Sequence, residues 1–182
     1  MPAVSLRDAP NTMRPPPSRT SICVFAYGSN MDPDDLNAWC RRRGRPTVRV
    51  SRTEVAELCD HRLHFDYWSG VRQGGAANVS PQLATSVFGL ALWVDPEGLL
   101  SFDLKEGHPN NYERRLLPVR LASGTQESAW VYRVRDEHRR ATHIPPTNHY
   151  SMLLLNAAKR HCFPASYVTV LNDLCALGSD ER

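Results

Sequence analysis

The sequence is short of lysine, of long apolar runs and of paired cysteines, and each shortage excludes something. Of its 22 basic residues only Lys105 and Lys159 are lysines, which we read as a composition bias. The net charge of +3 is too small to imply a nucleic-acid partner. No apolar stretch approaches the length of a membrane span. The first twenty residues, MPAVSLRDAPNTMRPPPSRT, lack the apolar core of a secretory signal, and Pro15-Pro16-Pro17 with its polar surroundings predicts a disordered tail over 1–20. The five cysteines (Cys23, Cys40, Cys59, Cys162 and Cys175) are odd in number and fall mostly in apolar segments. They predict reduced, buried thiols in a cytoplasmic protein rather than a disulfide framework. GxGxxG, Walker and GxSxG patterns are also missing, which disfavours a nucleotide site or a serine nucleophile.

What is present reads as one α+β domain over 21–182, with 41% hydrophobic residues to build its core. Ser21 to Tyr27 is nearly continuous in apolar residues, as in a strand buried on both faces. Asp32, Pro33, Asp34 and Asp35 then open a helix with an N-cap, a proline at its first position and acids in its first turn. Arg41-Arg42-Arg43 before Gly44 reads as a solvated helix end whose cations complement the dipole, since no aromatics interleave to stack on bases. His61 to Trp68 alternates as a half-buried strand, GVRQGGAANVSP (70–81) reads as a glycine-rich loop, and Thr85 to Val94 is an apolar strand. Asp95-Pro96-Glu97 starts a second helix that stops at Lys105-Glu106-Gly107. Strands near 115–121 and 128–134 and helices near 148–162 and 164–177 complete the chain. The elements lack regular βαβ alternation, so the sheet is expected to curve or close into a barrel.

Two places could carry chemistry. In FAYGSNM (25–31) a strand, a Gly-containing turn and a helix start follow in direct succession, which gathers free N–H donors at one point. Gly28 permits positive φ and close backbone approach, and the Ser29 and Asn30 side chains can hold such a turn. The turn could bind a carboxylate, stabilise an oxyanion, or be plain punctuation. The second place is Glu106, a carboxylate at the negative end of a helix, which raises its pKa and suits it to general acid/base work. Exposed glutamates at helix ends are also common and inert. Cys23, Cys162 and Cys175 read as core, and His61, His64, His143 and His149 lack metal-ligand spacing.

Taken in order, FAYGSNM, Gly74-Gly75-Ala76-Ala77-Asn78-Val79, LKEGHPNNYERRLLPV (104–119) and PPTNHYSMLLLNAAKRHCFPASYV (145–168) resemble the γ-glutamylcyclotransferase family. The resemblance implies a small mixed β-barrel with surrounding helices. It also implies an intramolecular reaction: the α-amine of a γ-glutamyl group attacks its own γ-carbonyl, releasing 5-oxoproline and an amino acid or amine, without metal or cofactor. By position Glu106 resembles the catalytic acid/base. Tyr27, Gly28, Ser29 and Asn30 resemble the loop that holds the γ-glutamyl group, and Tyr112 and Tyr150 resemble pocket tyrosines. The implied partner is a small γ-glutamyl molecule, with no nucleic acid or membrane, and the assembly a monomer or homodimer. Pathway-specific removal of a γ-glutamyl group, and a non-catalytic module binding a small carboxylate, remain open alternatives.

Overall fold

Asp32 does cap a helix. In the computed structural model, which describes residues 21–177, its carboxylate accepts from the N–H groups of Asp34 and Asp35 at 2.9 and 3.0 Å. The tail expected over 1–20 lies outside the described residues. The capped helix is α1 (Pro33–Arg42), which follows strand β1 (Ile22–Ala26) and a short 3-10 turn (Ser29–Met31). Then come β2 (Val50–Ser69), β3 (Gly74–Val94), α2 (Pro96–Glu106), β4 (Tyr112–Leu121) and β5 (Gln126–Val134). Helices α3 (Asn148–Arg160) and α4 (Ala165–Ala176) close the described chain. Asp95 and Thr147 cap α2 and α3 through their side chains, so each of these ends satisfies donors that a helix start leaves unpaired.

The strands form a closed barrel in the order β1-β3-β2-β4-β5, with β5 returning to β1. Closure leaves the central strands no free edge. β1 is antiparallel to β3 and parallel to β5, which explains its continuous apolar run: Val24, Phe25 and Ala26 are buried from both sides. The barrel interior is filled by side chains such as Phe25, Leu58, Val87, Ala91, Val119 and Val131, each at most 2% exposed. Tyr150, Leu154, Ala157 and Ala158 share one stripe of α3 and are buried. Phe163 and Tyr167 pack on Phe88 of β3, with ring centroids 6.2 and 5.2 Å away, which seats the C-terminal helices against the barrel.

The largest departure from the sequence reading is the β2–β3 hairpin. The segment 70–81 was expected to be a loop, but only Gly70–Gln73 turns; Gly74 onward pairs with β2 from Ser69↔Gly74 to Val50↔Val94. The glycines serve packing rather than flexibility. A Cβ on Gly75 would lie 2.0 Å from the Ile144 carbonyl oxygen, because the chain before α3 crosses the strand there and accepts a hydrogen bond from the Gly75 N–H through Pro145 O at 2.9 Å. Register shifts between Cys59/His61 and Phe65/Tyr67 bend the long ribbon. Its inner half builds the barrel wall, and its outer half carries Tyr67 and the turn toward α1.

The thiol expectation also needs revision. The cysteines are all free, but Cys59 and Cys162 are exposed. Cys162 sits beyond the end of α3 at φ 53, where the helix has already terminated, so it is not helix core.

Candidate active site

The first strand ends in the turn that the sequence singled out, and the turn is built differently from expectation. Gly28 has φ −113 and ψ −147, so positive φ is not what it supplies. It supplies room: an added Cβ would stand 3.0 Å from the Tyr150 hydroxyl. Nor do the Ser29 and Asn30 side chains hold the turn. Its closing bonds are main-chain ones, Met31 N–H to Gly28 O and Asp32 N–H to Ser29 O, each 3.0 Å. The N–H groups of Ser29 and Asn30 precede both bonds and take part in neither.

Asn30 instead reaches across to α2, where its Nδ2 donates to Glu106 Oε1 at 2.6 Å. Its Oδ1 is buried and has no partner among the described residues. Glu106 is the last residue of α2, and Gly107 closes the helix at φ 65. This placement at the helix C-terminus follows from the Asp95-Pro96 start and the Lys-Glu-Gly stop legible in the sequence. Burial raises the Glu106 carboxyl above the ordinary glutamate range; Lys105, the Asn30 amide and Arg72 oppose that rise, and Asp35 adds to it. The helix dipole acts in the same direction as burial, but desolvation is the leading cause.

Glu106, Tyr27, Gly28, Ser29, Asn30, Tyr112 and Tyr150 all line one cavity of about 410 Å³. Glu106 is the single carboxylate among its described lining residues. The three tyrosines differ in what their hydroxyls have left to give. Tyr27 donates to the Tyr132 carbonyl at 2.5 Å, and Tyr112 to the Ala77 carbonyl at 3.0 Å. Tyr150 only accepts, from the Ala77 N–H at 3.3 Å, so its own proton has no acceptor among the described residues. Burial pushes the Tyr150 phenol up to about 12 and holds Tyr27 and Tyr112 well above their usual value. All three remain neutral donors or acceptors across the physiological range.

Sequence reasoning missed the cations of the cavity and the acid that controls them. Arg72, in the hairpin turn, lies over the Tyr150 ring at 4.5 Å. Its Nη2 meets Asp35 Oδ2 at 3.2 Å, and Lys105 Nζ meets the same oxygen at 2.8 Å. Asp35 had looked like an ordinary first-turn acid, and the partners lie 37 and 70 residues away in the chain; no local pattern announces them. Tyr67 and Trp39 also line the cavity. Among the described residues no three His, Cys, Asp or Glu side chains converge into a group that could hold a metal.

Fold and cavity together define a helix-flanked closed barrel with one enclosed acid beside an amide-bearing turn. The family model for Gamma-glutamyl cyclotransferase, AIG2-like, matches residues 24–152, and the chain belongs to this family. A γ-glutamylcyclotransferase of Bos taurus is 26% identical over 158 residues, covering 85% of this chain and 79% of that protein. A solved γ-glutamyl cyclotransferase superposes with a TM-score of 0.70 at 23% identity, over 84% of this chain and 86% of the other. A yeast γ-glutamyl cyclotransferase specific to glutathione gives 0.60 at 15% identity, over 85% and 95% of the two chains. At these identities the solved structures establish the fold.

Proposed function

We propose that the protein is a γ-glutamylcyclotransferase with Glu106 as its acid/base. The observation that carries this reading is the Glu106 carboxyl itself: enclosed in the cavity, held by the Asn30 amide and joined to no cation among the described residues. A carboxyl raised by burial is a stronger base than an exposed one, as a proton acceptor for an ammonium requires.

In this reading the substrate's α-ammonium sits between Glu106 and the unpartnered Oδ1 of Asn30, which supplies the acceptor that a buried ammonium needs. The N–H groups of Ser29 and Asn30, which take no part in the turn's closing bonds, face the α-carboxylate. Glu106 takes a proton from the ammonium, and the freed amine forms a bond to the γ-carbonyl carbon. The Tyr150 hydroxyl donates its unused proton to the oxygen that becomes negative. The C–N bond to the leaving group then breaks as Glu106 returns that proton to the departing nitrogen, and the new ring nitrogen gives up its remaining extra proton through Glu106 to the released amine, which leaves as an ammonium. The nucleophile and electrophile share one molecule, so the cavity's main work is to hold a folded near-attack geometry.

Incubation with a panel of γ-glutamyl dipeptides and γ-glutamylamines, scored for 5-oxoproline, tests the proposal. The reading expects stoichiometric 5-oxoproline and free amine from at least one member. No product from any member favours a non-catalytic carboxylate-binding module or a dedicated pathway substrate.

A further inference from the structure

The cavity contains two cations and one carboxylate that must not pair with them. Lys105 precedes Glu106 on α2, with its side chain only 7% exposed, and Arg72 enters from the hairpin turn. Both lower the Glu106 carboxyl by their charge. If either closed on Glu106 it would form a buried ion pair, and a paired carboxylate is a weak base. Neither does. Both converge on one oxygen of Asp35, from the first turn of α1, at 2.8 and 3.2 Å.

Resting on the proposed reaction, we infer that Asp35 is a positioning residue of this site: it holds Lys105 and Arg72 away from Glu106, so that the glutamate meets the substrate ammonium without a cation of its own. Asp35 is suited to this because it stands outside the cavity lining while both cations stand in it. It therefore withdraws positive charge without competing for substrate. The same contact fixes the hairpin turn, since Arg72 is anchored at one end by Asp35 and lies across the Tyr150 ring. The cations in turn hold the Asp35 carboxyl below its ordinary value against its own burial, so its negative charge is kept throughout the range in which Glu106 works.

The remaining groups facing Glu106 do not change this balance. Asn30, from the 3-10 turn, is neutral. Tyr27 just after β1, Tyr67 of β2, Tyr112 of β4 and Tyr132 of β5 each feel the Glu106 charge, as does Tyr150 of α3, and all are shifted upward. They stay protonated where a carboxyl titrates. Asp35 is thus the group whose removal changes the charge around Glu106 without removing a substrate contact.

The test is the titration of Glu106, followed by carboxyl NMR on protein labelled at glutamate and assigned with Glu106→Gln, in the wild type and in Asp35→Asn. The midpoint is expected to fall in Asp35→Asn, because two cations lose their counter-ion. The acid limb of kcat/KM is expected to move to lower pH with it, and the plateau to drop about tenfold. A purely structural role would lower the plateau without moving the limb, and would overturn the inference. Asp35→Asn leaves Lys105 buried and unpaired, so the comparison is repeated between Lys105→Gln and Asp35→Asn/Lys105→Gln, where Arg72 alone loses its partner. The midpoint should fall again, by less. No fall in either background refutes the role of Asp35. The titration needs no turnover, so a protein inactive on every γ-glutamyl substrate refutes the proposed reaction while the midpoint still decides the electrostatic claim.

Discussion

Tyr150→Phe separates what the cavity does for the fold from what it does for a reaction. The substitution removes one oxygen and leaves the ring, so Arg72 and Phe65 keep their aromatic contacts at 4.5 and 6.3 Å. Among the described residues the oxygen's one hydrogen bond is accepted from the Ala77 N–H at 3.3 Å, at the long end of the useful range. Its loss leaves a buried donor unpaired, at a cost of about 1 kcal/mol rather than the ~3 kcal/mol of a well-made bond. For a chain of this size that is a fall in Tm of roughly 2–4 °C. The catalytic effect should be larger. Losing one preorganised donor to an oxyanion lowers kcat by about 10²–10³-fold, or ~3–4 kcal/mol of transition-state stabilisation. Thermal melting and steady-state release of 5-oxoproline read the two effects on one preparation. A kcat within threefold of wild type would refute the assignment of the free tyrosine proton to the reaction. A Tm loss large enough to account for the whole drop in activity would refute it equally.

Tyr112→Phe is the matched control: its hydroxyl proton is already committed to the Ala77 carbonyl at 3.0 Å. We therefore expect a Tm loss at least as large as that of Tyr150→Phe, with kcat reduced by less than about tenfold; a larger kcat loss than Tyr150→Phe would contradict the hydroxyl accounting. Gly28→Ala places a methyl 3.0 Å from the Tyr150 hydroxyl, at a φ of −113, outside the left-handed region that favours glycine. It should lower kcat/KM with little change in Tm, and wild-type kinetics would show that the close approach at Gly28 is dispensable.

How much of this was legible in the sequence depended on distance along the chain. The caps at Asp32 and Asp95, and the stop at Glu106-Gly107, are local chemistry and read directly. Glu106 and the FAYGSNM turn could be paired only through the ordered resemblance to a family, because 76 residues separate Asn30 from Glu106. The strand over 74–81 was hidden because glycine argues for a loop, and the contact that requires glycine comes from Ile144, far along the chain. The start of β2 was hidden for a related reason. Its exposed residues at 50–53 carry no alternating apolar signal, and only pairing with the buried Leu92–Val94 segment makes them strand. Asp35 is the extreme case: its residue type and position were fully explained by the helix it starts, and its ionic partners belong to two other elements.

The central claim is that Glu106 moves the protons of a cyclisation, and the most direct measurement is the pH dependence of 5-oxoproline release by wild type and Glu106→Gln. Because burial raises the Glu106 carboxyl, the base form accumulates only as pH rises through that elevated value. The acid limb of wild-type kcat/KM should therefore lie above the ordinary glutamate range. The folded protein also binds that proton more tightly than the unfolded chain, so wild-type stability should fall relative to Glu106→Gln as pH rises through the same window. The account predicts that Glu106→Gln melts no lower than wild type at neutral pH and turns over about 10²–10⁴-fold more slowly. A Glu106→Gln protein that releases 5-oxoproline at near the wild-type rate, with the acid limb unchanged, would contradict it.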